Sequence, residues 1–259
     1  MKRRLILFAV LALLGTAFPL ALVVLAVRAT AETPGFPIDD PWIHLTYARN
    51  LAEHFAFAYF PGDPSSAGST APLYTALLAV GLRIVQDEKL LSWTIGLIFQ
   101  FAFLCTFGAW AWRRLGGVFW PAVAVAFVAF DSRMGIVAVS GMETSCFLFL
   151  VSLAFLARVS KQPIVAGTAL GLAVWVRPDA LLLLAVFAID AVLDRIAADA
   201  PQVESDAVVA ELRGWVRLLI PAGLLILLYF AFNCAIGGGI LPNTFDAKTT
   251  FYSSRAREL

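Results

Sequence analysis

The sequence predicts an all-α fold, a polytopic bundle of membrane-crossing helices. Three observations carry that reading. The chain of 259 residues is 61% hydrophobic and only 14% charged, more apolar surface than a soluble domain of this size can hide. Its apolar residues fall into about seven long runs, and helices whose backbone groups are satisfied internally are the way such runs cross lipid. The basic residues between the runs are spaced so that they gather on one side of a membrane.

The first run, Leu5–Val27, follows Lys2-Arg3-Arg4. Ala29-Thr30-Ala31 resembles a signal-peptide cleavage site. The run is about 23 residues, longer than a signal core, and more runs follow it, so an uncleaved first membrane helix with a cytoplasmic basic end is expected. The later runs are Leu90–Trp112, Gly116–Phe130, Ser145–Ala157, Ile164–Val176, Ala180–Leu193 and Val216–Ala235, several of them short for a bilayer.

The apolar stretch Pro72–Val85 decides the topology. If it crosses, Arg113-Arg114, Arg158 and Lys161 fall outside. If it lies at the interface or against the bundle, these residues share the cytoplasmic side with Lys2-Arg3-Arg4 and the 194–215 loop, as the positive-inside rule favours. At about 14 residues it is also too short for an ordinary span. The second choice puts a first loop of 28–89, then Asp131–Thr144, Arg177–Asp179 and Gly237–Thr249, on the outer face.

Asp39 and Asp40 stand in that first loop, and charge near a bilayer is costly enough to make them candidates for function. Asp40 suits a helix cap ahead of Pro41. On that helix Leu45, Ala48, Leu51, Ala52 and Phe55 form an apolar stripe opposite Thr46, Arg49, Asn50 and Glu53, a pattern suited to the membrane surface. His44 and His54 have no metal-pair spacing, and His44 reads as a packed or hydrogen-bonded side chain. The three cysteines lie far apart in apolar stretches, with neither disulfide nor metal spacing. A net charge of +1 gives nucleic acid no bulk attraction.

Four constellations can carry chemistry. One carboxylate of Asp39-Asp40 can act as a general base on a hydroxyl, with a plain cap as the other reading. Glu143, in Ser140-Gly-Met-Glu-Thr144, precedes an apolar helix, with Asp131 and Arg133 upstream. Arg177, in Trp175-Val-Arg-Pro-Asp179, lies between apolar runs and needs a carboxylate or phosphate partner. The Gly237–Lys248 string offers glycines for close ligand approach and a lysine for phosphate. Acids and cations converging on one face suit phosphate-linked sugar chemistry: a base for the acceptor hydroxyl and cations or a metal for the departing phosphate.

These motifs resemble the GT-C-fold membrane glycosyltransferases. Asp39-Asp40 before the YARN helix is similar to their first outer loop. Gly68-Ser-Thr-Ala-Pro-Leu73 is similar to the G-x-T-x-P-L segment of a bacterial branch containing arabinofuranosyltransferase-like and mannosyltransferase-like proteins. The SGMET, VRPD and LPNTFDAK strings follow in the same order. The resemblance covers nearly the whole of 1–259 and matches the front part of such enzymes, so a fragment or truncated product is expected.

It implies inverting transfer of a sugar from a polyprenyl-phosphate donor to a cell-envelope glycan, lipid or protein at the outer face of the cell membrane. Asp39, then Asp40, would be catalytic. Arg49, Thr70, Glu143, Arg177, Asn243 and Lys248 would contact substrate. A divalent metal ion is left open. Two other classes stay in view: a transporter or lipid-carrier protein, and a non-catalytic fragment or scaffold.

Overall fold

The computed structural model describes residues 2–30, 35–197, 205–237, 239–240 and 242. Every regular element among them is helical: α1 (Lys2–Thr30), α2 (Asp40–His54), α3 (Pro72–Leu82), α4 (Glu88–Leu115), α5 (Phe119–Ala129), α6 (Ser132–Val139), α7 (Thr144–Val159), α8 (Pro163–Val176), a short 3₁₀ turn (Pro178–Leu181), α9 (Leu182–Ala197) and α10 (Ser205–Gly237).

Close packing at small residues sets the direction of each helix. Phe8 of α1 lies against Gly108 of α4, while Gly15 lies against Leu104, so the two helices are antiparallel. The Lys2 end of α1 and the Arg113-Arg114 end of α4 therefore share one end of the bundle, called basal here. Consequently α2 and α3 both sit at the other, apical, end, and α3 does not traverse. Its 11 residues instead pack beside α4 and α8, with Leu91 filling the space over Gly81.

The rest of the chain alternates. α5 and α6 climb beside α1, with Phe130 edge-on to Phe18 at 5.9 Å and Gly135 against Pro19. α7 descends parallel to α4, as Phe99–Phe149 and Trp110–Phe155 contacts record. α8 ascends and α9 descends, with Phe187 against Phe155. α10 ascends along α8, where Gly167 and Gly171 let its backbone come close. Basally, Asp190 of α9 accepts from Arg114 Nη2 of α4 at 2.6 Å and from Arg158 Nε of α7 at 3.0 Å. Arg158 is also stacked on Phe187 and Trp215, which ties α10 to the same cluster. One apolar core fills the apical half, around Leu45, Tyr74, Leu78, Leu150, Val174 and Tyr229. A second, built on Ala154, Leu170, Phe187 and Leu218, fills the basal half.

Several expectations are corrected. Three described helices are long and apolar enough to cross a membrane: Ile6–Leu25, Glu88–Leu115 and Val209–Gly237. A fourth span results if the bent pair α5–α6 counts as one, so seven crossings do not follow from helix length. α5 lies within the expected run Gly116–Phe130, but the expected loop Asp131–Thr144 holds a further helix, because the Asp131 side chain accepts from Arg133 and Met134 backbone N–H groups and starts α6 at a 58° bend. α7, at 16 residues, reaches about 24 Å against roughly 30 Å of hydrocarbon. α9 and α10 continue into the expected 194–215 loop, leaving 198–204 outside the described residues.

A Cβ on Gly167 would stand 2.0 Å from the Leu218 carbonyl oxygen. Gly167→Ala is therefore expected to push α8 from α10 at a cost of about 1–3 kcal/mol, visible as a lowered thermal midpoint in detergent. Gly223→Ala, with open space around it, is the matched control.

Candidate functional site

The site lies at the apical end and begins with α2. Asp39, not Asp40, occupies the N-cap position, and Asp40 is the first helical residue ahead of Pro41. Asp39 has an αR backbone and makes no side-chain cap bond, so the cap reading of the pair is not realised. Both carboxylates are exposed to solvent. The segment that carries them is held by Phe36, which packs edge-on to Trp42 at 5.1 Å and covers Gly141.

α2 does not lie with a free apolar stripe on a membrane surface. Leu45, Ala48 and Ala52 are buried against the protein, whereas Phe55 ends the helix in a left-handed conformation and is exposed. Asn50, expected on the polar side, is buried too, and its Nδ2 donates to the Ala58 and Tyr59 carbonyls, both at 2.8 Å. One helical turn earlier, Tyr47 Oη bonds Ser66 Oγ at 2.7 Å. A turn before that, His44 Nδ1 meets Ser69 Oγ at 2.9 Å, and Ser69 Oγ meets Thr75 Oγ1 at 2.8 Å. Residues 44, 47 and 50 share a face because three residues are nearly one turn. That face fastens the 57–70 loop. Gly68 is needed beneath it, since a Cβ there would collide with Tyr47 Oη at 2.1 Å.

The second side of the site comes from α7 and α8. Gly141 takes φ +76° and its carbonyl accepts from Tyr74 Oη at 2.9 Å, which turns the chain into Glu143 at the N-cap of α7. Burial pushes the Tyr74 hydroxyl up, so it remains a donor. Glu143 Oε2 lies 3.3 Å from His44 Nε2, and Oε1 lies 3.8 Å from Arg177 Nη1. Arg177 Nη2 is 3.6 Å from Asp179 Oδ2, and the guanidinium sits over Phe147. Glu143 is only 4% exposed. Burial alone would raise its carboxyl, but His44, its own backbone N–H and Arg177 outweigh that and hold it below the usual carboxylate range.

Four of the sequence motifs thus meet: the α2 segment, the Gly68-Ser-Thr turn, SGMET and VRPD. Within them, Glu143 and Arg177 are in contact. Thr70 is half-buried beside Ser69, which makes the bonds. Arg49 points elsewhere, donating from Nε to Glu88 Oε1 at 2.9 Å and tying α2 to the start of α4. Asp131 and Arg133 stay at the α5–α6 bend. Asn243 and Lys248 lie outside the described residues. Sequence reading missed His44, Tyr47, Asn50 and Ser69 as a set. The 3-residue spacing of His44, Tyr47 and Asn50 along one face of α2 was the available signal.

The arrangement separates two kinds of acid. Glu143 is buried, doubly engaged and poor at taking a proton, so it is a fixed charge. Asp39 and Asp40 are exposed, and the Asp39 side chain makes no cap bond. Arg177, with a side chain 39% exposed, has ion pairs at 3.6 and 3.8 Å and forms no side-chain hydrogen bond among the described residues. A guanidinium with open donors at a protein surface suits a planar or tetrahedral oxyanion. Among the described residues no three His, Cys, Asp or Glu side chains gather around a common point for a metal ion.

Two outcomes follow. Asn50→Ala strands two carbonyls and is expected to cost about 1–3 kcal/mol, read as faster amide exchange across 57–70. Glu143 binds its proton less tightly folded than unfolded, so its contribution is complete above the ordinary carboxylate pKa of about 4.3 and is lost as pH falls through the lower folded value. The thermal midpoint is expected to drop toward about pH 3, and less so in Glu143→Gln, by melting curves across that range.

Comparison with family models, curated proteins and solved structures finds no match to this chain. What its own residues establish is a helical protein with three or four apolar segments long enough to cross a membrane.

Proposed function

We propose that this protein is a membrane glycosyltransferase that moves a sugar from a polyprenyl-phosphate donor to a cell-envelope acceptor. The carrying observation is Arg177: a half-exposed guanidinium with unused donors, set beside a fixed carboxylate at the end of the bundle where the motif segments converge. The order of those segments along the chain is that of the GT-C resemblance. In this reading all seven end-to-end passes cross the bilayer. The basal end, rich in Arg and Lys, faces the cytoplasm and the apical site faces outward.

The chemistry assigns one task to each group. Asp39 takes the proton from the acceptor hydroxyl, with Asp40 beside it. The acceptor oxygen forms a bond to the anomeric carbon as the bond from that carbon to the phosphate oxygen breaks. The electron pair leaves with the polyprenyl phosphate, which Arg177 and Lys248 neutralise. Asn243 and Thr70 would hold sugar or phosphate oxygens, and Arg49 would act through the placement of α2. The reading requires nothing of a divalent ion, although Asp39 and Asp40 are the pair that would hold one, adding charge for the departing phosphate.

A lipid-carrier protein would use the same guanidinium without turnover, and the test distinguishes it. Sugar transfer from a polyprenyl-phosphate donor is measured for the full-length protein and two variants. Asp39→Asn is expected to lose about 10²–10⁴-fold in rate with donor affinity retained, as for a general base. Arg177→Lys, which keeps charge but loses the fork, is expected to weaken donor binding about tenfold. Wild-type transfer by Asp39→Asn rejects the assignment, and donor binding without transfer in the unaltered protein identifies a carrier.

A further inference from the structure

We propose that His44 is a positioning residue that keeps Arg177 open to an oxyanion by holding Glu143 away from it. The claim rests on the reading of Arg177 as the phosphate contact, but its central measurement does not need the lipid. His44 joins Ser69 to Glu143 through its two ring nitrogens. Ser69, His44 and Glu143 are 2%, 4% and 4% exposed, so this chain of contacts is sealed from water. Sealing also argues against a nucleophilic Ser–His–Glu set, because no substrate reaches Ser69.

A consistent direction runs through the polar groups. If Thr75 donates to Ser69 and Ser69 donates to His44 Nδ1, the ring proton sits on Nε2, 3.3 Å from Glu143 Oε2. Glu143 then divides its two oxygens, Oε2 toward His44 and Oε1 toward Arg177. A carboxylate and a guanidinium left to themselves close into a paired fork. The 3.8 Å separation here is wider than that fork; Arg177 Nη2 also lies 3.6 Å from Asp179, and the partner competing for Glu143 is the His44 contact. Without it, Glu143 is free to turn fully onto Arg177 and occupy the donors a phosphate would use.

Removing the two partners of this contact should therefore have opposite effects. In the full chain reconstituted in lipid nanodiscs, Arg177 reactivity toward phenylglyoxal is followed by mass spectrometry, with exposed Arg217 at the other end as internal control. His44→Asn keeps a polar atom near the Nδ1 position but cannot reach Glu143, and labelling of Arg177 is expected to slow about fivefold or more. His44→Gln, whose amide reaches toward Glu143, should stay within about twofold of wild type. Glu143→Gln should accelerate labelling, and the double variant with His44→Asn should match Glu143→Gln alone. Equal effects of Asn and Gln at position 44, slowing that persists without Glu143, or parallel changes at Arg217 overturn the proposal. A parallel titration with a short-chain polyprenyl phosphate and with inorganic phosphate tests the reading beneath it. If His44→Asn slows labelling while neither phosphate binds wild type, the positioning role stands and the lipid-phosphate reading falls. If polyprenyl phosphate binds and labelling is indifferent to His44, the reverse holds.

Discussion

The apical half of this protein depends on one buried carboxylate. An isolated carboxylate out of water costs several kcal/mol and persists only with partners. Glu143 has them from three directions: His44 from α2, Arg177 from the end of α8, and the start of its own helix. His44 and Arg177 belong to segments distant in sequence, so satisfying that single charge draws those segments together. The apolar core beneath supplies most of the adhesion through Leu45, Tyr74, Leu78 and Val174. The core is non-directional, and the polar contacts above it decide which loops face one another.

The basal end repeats the device with opposite sign balance. Asp190 takes two arginines from α4 and α7, and one of those arginines is stacked on rings from α9 and α10. Between the ends the helices meet through glycine and alanine, where nothing but small residues lets backbones approach, as at Gly96 against the Ala138 carbonyl and Gly167 against that of Leu218. The bundle is therefore fastened by charge at both ends and by close packing between. This division leaves the apical loops as the place where sequence can vary around a fixed frame.

That frame gives the functional proposal its shape. A buried, pinned acid, a guanidinium with open donors and an exposed acidic pair are three different chemical roles. Charge counts along the sequence cannot tell them apart. The motif strings come together in space: Glu143 and Arg177 meet, and the Ser69 turn joins them through His44. Arg49 shows the limit of the same reasoning. The resemblance implied a substrate contact there, whereas in the structure Arg49 pairs with Glu88, 39 residues on, across a helix hairpin that no local pattern announces. Asn50 is the converse, a polar side chain that looked solvent-facing and is buried because two loop carbonyls need its amide.

The sequence by itself determined the class of molecule and most helix positions, because hydrophobic runs, Pro at first turns and N-capping aspartates are local signals. It also argued, by length and charge balance, against Pro72–Val85 as a crossing, and the 11-residue α3 does not run the length of the bundle. Tertiary structure decided what those signals leave open. It set the antiparallel pairing of α1 with α4, the break at Asp131, and the identity of Glu143's partners. These depend on which surfaces meet in space. A carboxylate 99 residues after His44 carries no local mark of the side chain that will satisfy it. Desolvation exacts its cost only once the chain has packed, and the packed chain is where the partner is chosen.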